Sequence, residues 1–134
     1  MEQPRVKVLL DTHALIWALV EPERLSTVAR EIIEDKSNEL VVSSVSAWEI
    51  GTKFRLGRLP GLVHVVEFYD ERVAELRATV LAITPKHAMY AGRLDWAHGD
   101  PFDRILAAQS AIEVLPLLTR DQALTRLSSI QTIW

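Results

Sequence analysis

A chain of 134 residues, 49% hydrophobic and 25% charged, has the length and composition of one globular domain that buries its own core, which excludes disordered, collagenous and low-complexity proteins. It has no cysteine, so disulfides, thiolate metal sites and cysteine nucleophiles are excluded. Fifteen basic and 18 acidic residues give a net charge of −3; a protein that grips nucleic acid by phosphate neutralisation alone is usually basic, but four of the acids gathered on a metal would leave the remaining surface near neutral.

In chain order, Val6, Val8, Leu9 and Leu10 predict a first strand over 6–10. Asp11 and Thr12 lead into an apolar helix over 13–20, ended by Pro22, and Ser26 opens a second helix with Val28, Ala29, Ile32 and Ile33 on one face. Residues 39–42 read as a second strand. Ser43 to Ser46 lead into a helix over about 47–56, closed by Gly57 and Pro60-Gly61. A single helix is expected over 62–77, then a third strand over 79–83, a helix from Pro85 to about 94, a loop over 95–99 and a helix over 100–112. A fourth strand over 116–119, a short helix over 121–127 and a last strand over 130–134 complete the chain. Strands alternating with helices predict a single α/β domain over residues 1–134, with a mostly parallel central sheet of 4–5 strands flanked by helices. The longest apolar runs are far short of the ~20 residues that cross a bilayer, and no signal peptide is visible, so a soluble, cytoplasmic protein is expected.

Five acids stand at or just past strand-to-helix junctions: Asp11, Glu49, Asp100, Asp103 and Asp121. In a parallel sheet those junctions share the carboxyl edge, where such sheets bind ligands. Each acid also has a capping explanation. Asp11 can cap the first helix, Ser46-Ala47-Trp48-Glu49 fits a capping box with Glu49 one turn before Lys53, and Asp100-Pro101 opens a helix with Asp103 at its third position. Thr119 and Gln122 form another box around Asp121. Against capping alone, Asp103 shares its face with Leu106, Ala107 and Ser110, where a carboxylate is costly without a cation. Hard oxygen donors in this number suit Mg2+ or Mn2+.

At these residues the sequence resembles the PIN-domain ribonucleases, in particular the VapC-like toxins of bacterial toxin–antitoxin pairs. The matching pieces are Leu9-Leu10-Asp11-Thr12-His13, Ser46-Ala47-Trp48-Glu49-Ile50, the block from His98 through Asp100-Pro101-Phe102-Asp103-Arg104 to Gln109, and Leu117-Leu118-Thr119-Arg120-Asp121. The resemblance implies a PIN-like fold and a metal-dependent endoribonuclease whose acidic quartet is Asp11, Glu49, Asp103 and Asp121. Asp100 is a fifth acid nearby and Thr119 an accessory hydroxyl. It further implies an RNA substrate, a Mg2+ or Mn2+ cofactor, a homodimer, and a cognate antitoxin that plugs the active site. Leu124 departs from the pattern, since related sequences often have Phe after the fourth acid. The competing reading is a PIN-like module that binds RNA or protein without cutting; loss of acids would mark it, and all are present.

The other polar and aromatic residues carry blander expectations. His13, His64, His87 and His98 lack metal-ligand spacings, and His98 reads as a loop histidine without a role. Trp17 and Trp48 read as core, with Trp96 free to stack on a base or not, and Arg104 reads as the partner of an acid. Phe54, Leu56 and Leu59 are candidates for an apolar groove that receives the antitoxin beside its arginine.

Overall fold

The structure, a computed structural model, describes residues 5–134. Five parallel strands run β1 (Lys7–Leu10), β2 (Glu39–Ser43), β3 (Thr79–Leu81), β4 (Leu117–Leu118) and β5 (Thr132–Ile133), in the sheet order β3-β2-β1-β4-β5. The helices are α1 (Thr12–Val20), α2 (Thr27–Glu34), α3 (Ser44–Arg55), α4 (Val63–Glu67), α5 (Tyr69–Glu75), α6 (Pro85–Arg93), α7 (Pro101–Glu113) and α8 (Gln122–Thr125). β1 is central, pairing Leu9 and Leu10 with Val41 and Val42 of β2 on one side and with Leu117 and Leu118 of β4 on the other.

Side chains alternate across the pleat and split the core in two. Val8, Leu10, Leu40, Val42 and Leu118 pack into one cluster with Ala14, Leu15 and Trp17 of α1. Leu9, Val41 and Leu117 pack into the other with Leu106 and Ala107 of α7. Strands buried on both faces account for their unbroken apolar runs. Among the described residues no helix is long and apolar enough to cross a membrane.

The structure corrects several expectations. The expected helix over 62–77 is a 3-10 turn (Pro60–Leu62) followed by α4 and α5, broken at Phe68, whose backbone (φ −122, ψ 39) leaves the helical region. β-branched Val63, Val65 and Val66 are weak support for a long helix. A further 3-10 turn, Pro22–Arg24, precedes α2. α3 begins earlier than expected because Ser43 rather than Ser46 is its N-cap, accepting from the Val45 amide at 3.0 Å. Trp17 is buried as expected, but Trp48 is 54% exposed, and it packs edge-on against Phe102 with ring centroids 4.6 Å apart.

Arg104 pairs with no acid among the described residues. Its guanidinium donates to the carbonyls of Ala91 (2.8 Å), Trp96 (2.9 Å), His98 (2.9 Å) and Leu94. One α7 side chain thus closes the end of α6 and the loop after it, using the fixed fork of donors that a lysine lacks. Arg104→Lys is expected to lower stability by ~2 kcal/mol or more, because buried carbonyls lose charge-assisted donors; the urea midpoint of the variant measures the loss.

Candidate metal centre at the carboxyl edge of the sheet

Because the strands are parallel, β1, β2 and β4 deliver their following residues to one edge. Asp11 is the N-cap of α1: one carboxylate oxygen accepts from the Ala14 amide at 2.7 Å, and the other accepts from the Thr119 hydroxyl. The Thr119 oxygen in turn accepts from the Asp121 amide at 3.0 Å, so one buried hydroxyl joins the acid after β1 to the backbone of the acid after β4. This replaces the expected Thr119–Gln122 box. Asp121 is itself the N-cap of α8, bonding Ala123 N at 2.8 Å through a single oxygen.

Glu49 is only 3% exposed and lies a turn inside α3, where it caps nothing. Its carboxylate is paired with Lys53, the partner expected from the one-turn spacing. Ser46 does not cap; its hydroxyl is 3.0 Å from that of Thr12, tying the first turns of α3 and α1 together.

Asp100 caps α7, accepting from Phe102 N at 2.8 Å and Asp103 N at 3.4 Å through the same oxygen. Asp103 does not return that bond. Its carboxylate lies 2.8 Å from His98 Nε2, so the loop histidine expected to be idle holds an acid. Among the described residues, His98, Asp100 and Asp103 are the group whose ligand atoms all lie within 4.8 Å of one another. The H-x-D-x-x-D spacing was the available signal: Asp100 starts the helix, Asp103 returns one turn later, and the preceding loop folds back over both. Arg104 pins the carbonyl of His98 itself.

The electrostatics couple these groups. Burial pushes the Asp103 carboxyl up to about 6, with Asp100, Asp121 and Glu49 adding to the rise and the His98 bond opposing it. Burial likewise raises Asp11, Thr119 and the Ala14 amide pull it back, and Glu49 adds a small upward push. Glu49 thus bears on both Asp103 and Asp11, and Asp121 on Asp103, while Asp11, Glu49 and Asp121 lie outside the 4.8 Å group of His98, Asp100 and Asp103. Capping uses one oxygen each of Asp100 and Asp121, leaving a second oxygen without a hydrogen bond among the described residues. Cap and ligand are thus compatible roles for one carboxylate. The donor set is mostly oxygen, anionic and held back from water, which fits a hard divalent cation.

Comparison with known proteins identifies the family and the fold. The family model described as the PIN domain matches residues 8–129, and the chain belongs to that family. Ribonuclease VapC22 of Mycobacterium tuberculosis is 32% identical over 118 residues, covering 87% of this chain and 88% of that protein. Ribonuclease VapC16 of the same organism is 30% identical over 61 residues, 46% of this chain and 43% of its own. In solved structures, the VapBC2 complex of Rickettsia felis bound to a promoter DNA fragment contains a chain that superposes with a TM-score of 0.67 at 15% identity, over 96% of this chain and 98% of that one. The DNA-bound VapBC of Salmonella typhimurium gives 0.66 at 21%, over 96% and 97%.

The raised Asp103 carboxyl has a consequence for stability. The folded, metal-free protein holds the Asp103 proton more tightly than the unfolded chain does, so stability is full below the unfolded pKa and falls as pH rises. Without divalent ions, the melting temperature is expected to drop between about pH 4 and the raised value near 6. Asp103→Asn should flatten that part of the profile, which thermal denaturation in EDTA across the pH range measures.

Proposed function

We propose that the protein is a divalent-metal-dependent endoribonuclease of the VapC type, the toxin of a toxin–antitoxin pair, with RNA as its substrate. The observation that carries the reading is the geometry at Asp103: its part-buried carboxylate lies 2.8 Å from His98 Nε2, and both have ligand atoms within 4.8 Å of one from Asp100. Such a group gains from a divalent cation. The ribonuclease relatives supply the substrate class.

In this reading Asp11, Glu49, Asp103 and Asp121 hold Mg2+ or Mn2+, with Asp100 beside them. The ion supplies a Lewis acid that activates water and offsets charge on the phosphodiester. The chain's own residues set the site. Thr119 fixes the Asp11 carboxylate and the turn into Asp121, His98 fixes the rotamer of Asp103, and Lys53 balances Glu49. Asn caps helices about as well as Asp, so Asp11→Asn and Asp103→Asn are expected to fold normally and to lose cleavage of RNA by two orders of magnitude or more. Mn2+ should raise the melting temperature of the wild type by binding only the folded state, and raise that of Asp11→Asn much less. Near-wild-type cleavage by either variant, or equal thermal shifts, would overturn the shared site.

The same reading includes a homodimer and an antitoxin that enters the acidic edge with an arginine, the side chain that pairs bidentately with carboxylates. The two solved structures compared above are VapBC complexes. Of the groove expected beside the site, Leu56 is 51% exposed, while Phe54 and Leu59 are half-buried and Leu59 packs against the core. Leu56 is thus the residue whose change leaves the core intact. Leu56→Asp is expected to fold and cleave as the wild type does while losing co-purification with the product of the adjacent reading frame. Retention of that partner would remove Leu56 from the interface.

A further inference from the structure

A cleft of about 800 Å³ opens directly beside the acidic edge. Asp11, Glu21 and Asp121 form part of its wall with three arginines from separate segments, Arg24, Arg58 and Arg120, over an apolar floor that includes Ile16 and Leu59. In a protein with a net charge of −3, this concentration of arginine is not a general property of the surface. Arg24 is within 3.7 Å of Glu21, both half-exposed. Arg58 and Arg120 have no acid within ion-pair distance among the described residues.

Each arginine is placed by something specific. Arg24 and Arg120 both stand 4.8 Å from the ring centroid of Trp17. Trp17 is only 6% exposed, so it is a platform for cations and has no open face for a base. Stacking engages the face of a guanidinium and leaves its N–H donors in the plane. It also orders two long side chains before any ligand arrives, which lowers the entropy lost on binding. Arg58 is set by the end of α3. Gly57 takes φ 74, a left-handed turn that favours glycine, and the amides of Gly57 and Arg58 bond back to Phe54 O (3.0 Å) and Lys53 O (2.9 Å). Arg120 directly precedes Asp121, so it is tied by the backbone to the acidic site.

We propose that this cleft carries the stretch of single-stranded RNA next to the bond that is cut, with Arg58 and Arg120 each holding a phosphate and Arg24 assisting. The proposal rests on the nuclease reading and deepens it. One phosphate sits at the carboxylate edge with its metal, and the neighbouring phosphates of the same strand pass onto the arginines. The apolar floor takes a ribose or base edge without reading sequence. An acidic protein segment would satisfy the arginines equally, but it has no reason to run on into the metal-binding carboxylates as a phosphodiester chain does.

The test is salt-dependent binding of a fluorescently labelled single-stranded oligoribonucleotide, followed by anisotropy in EDTA so that nothing is cleaved. Each lost phosphate contact should reduce the slope of log affinity against log salt by ~0.7. Arg58→Gln and Arg120→Gln should each show that reduction, and the double variant about twice as much. In Mn2+ the KM for RNA should rise several-fold in each. Arg58→Gln leaves the Trp17 stack untouched, and both side chains are exposed, so a melting temperature near that of the wild type is expected for this variant. If the wild type cleaves RNA while the double variant keeps its salt slope and KM, the cleft assignment is wrong and the nuclease reading stands. If the wild type does not cleave RNA, the nuclease reading fails, and the salt slopes still decide whether the arginines hold RNA. A double variant that keeps its RNA slope but loses the adjacent gene product would assign the cleft to a protein partner and overturn the proposal.

Discussion

Like charges crowded at a part-buried edge repel one another, and much of this molecule is arranged about that repulsion. The parallel sheet forces it, since every strand points its following residue to the same side. An antiparallel sheet of the same residues would have divided the acids between two edges. With the acids together, each is met by a different compensation: a lysine one turn on for Glu49, a histidine for Asp103, a threonine hydroxyl and a helix N-terminus for Asp11. Lys53 offsets the charge of Glu49, whereas the hydroxyl and the helix N-terminus hold the Asp11 carboxylate without a counter-ion. Burial first, and then Asp100, Asp121 and Glu49 beside it, raise the Asp103 carboxyl, and in the proposed reading a divalent cation would relieve that cost.

The same division of labour extends outward. α7 carries Asp103 on the side facing the acids and Arg104 on the side facing the loop, so adjacent residues serve the site and its support. The Trp48–Phe102 pair flanks Glu49 and Asp103 in sequence and brings α3 against α7 near the acids. The cleft lined by Arg24, Arg58 and Arg120 has Asp11 and Asp121 in its wall. Opposite charges thus stand side by side, carboxylates for the proposed cation and arginines for the proposed phosphates. That arrangement explains how a protein with a net negative charge is compatible with a nucleic-acid substrate.

The sheet, its direction and the edge carrying the acids were legible because they follow from local signals. These were apolar runs of strand length, Asp or Ser at helix starts, and Pro101 in the first turn of α7. What escaped depends on side chains meeting across distance. Ser43 and Ser46 are equally good caps in sequence; the tie of Ser46 to Thr12, 34 residues away, is not visible there. Arg104 reads as an ion-pair former, whereas its acceptors are backbone carbonyls 6 to 13 residues back, exposed only once the loop folds. Trp48 follows the apolar pattern of a buried residue, yet Glu49 takes the inward direction and turns it out. His98 had a visible spacing to Asp103, but a five-residue separation is meaningful only when a helix start lies between.

The hydroxyl of Thr119 reaches a carboxylate 108 residues earlier in the chain. That single contact means that the site has no local existence. Asp11, the first of these five acids to leave the ribosome, is already poised to cap its own helix, but it stays without its hydroxyl partner until β4 has been synthesised and has docked beside β1. A nascent or truncated chain lacking β4 holds four of the five acids and none of the clamp. In the proposed nuclease reading, the site would therefore wait for β4 to dock beside β1, whatever acids are already in place.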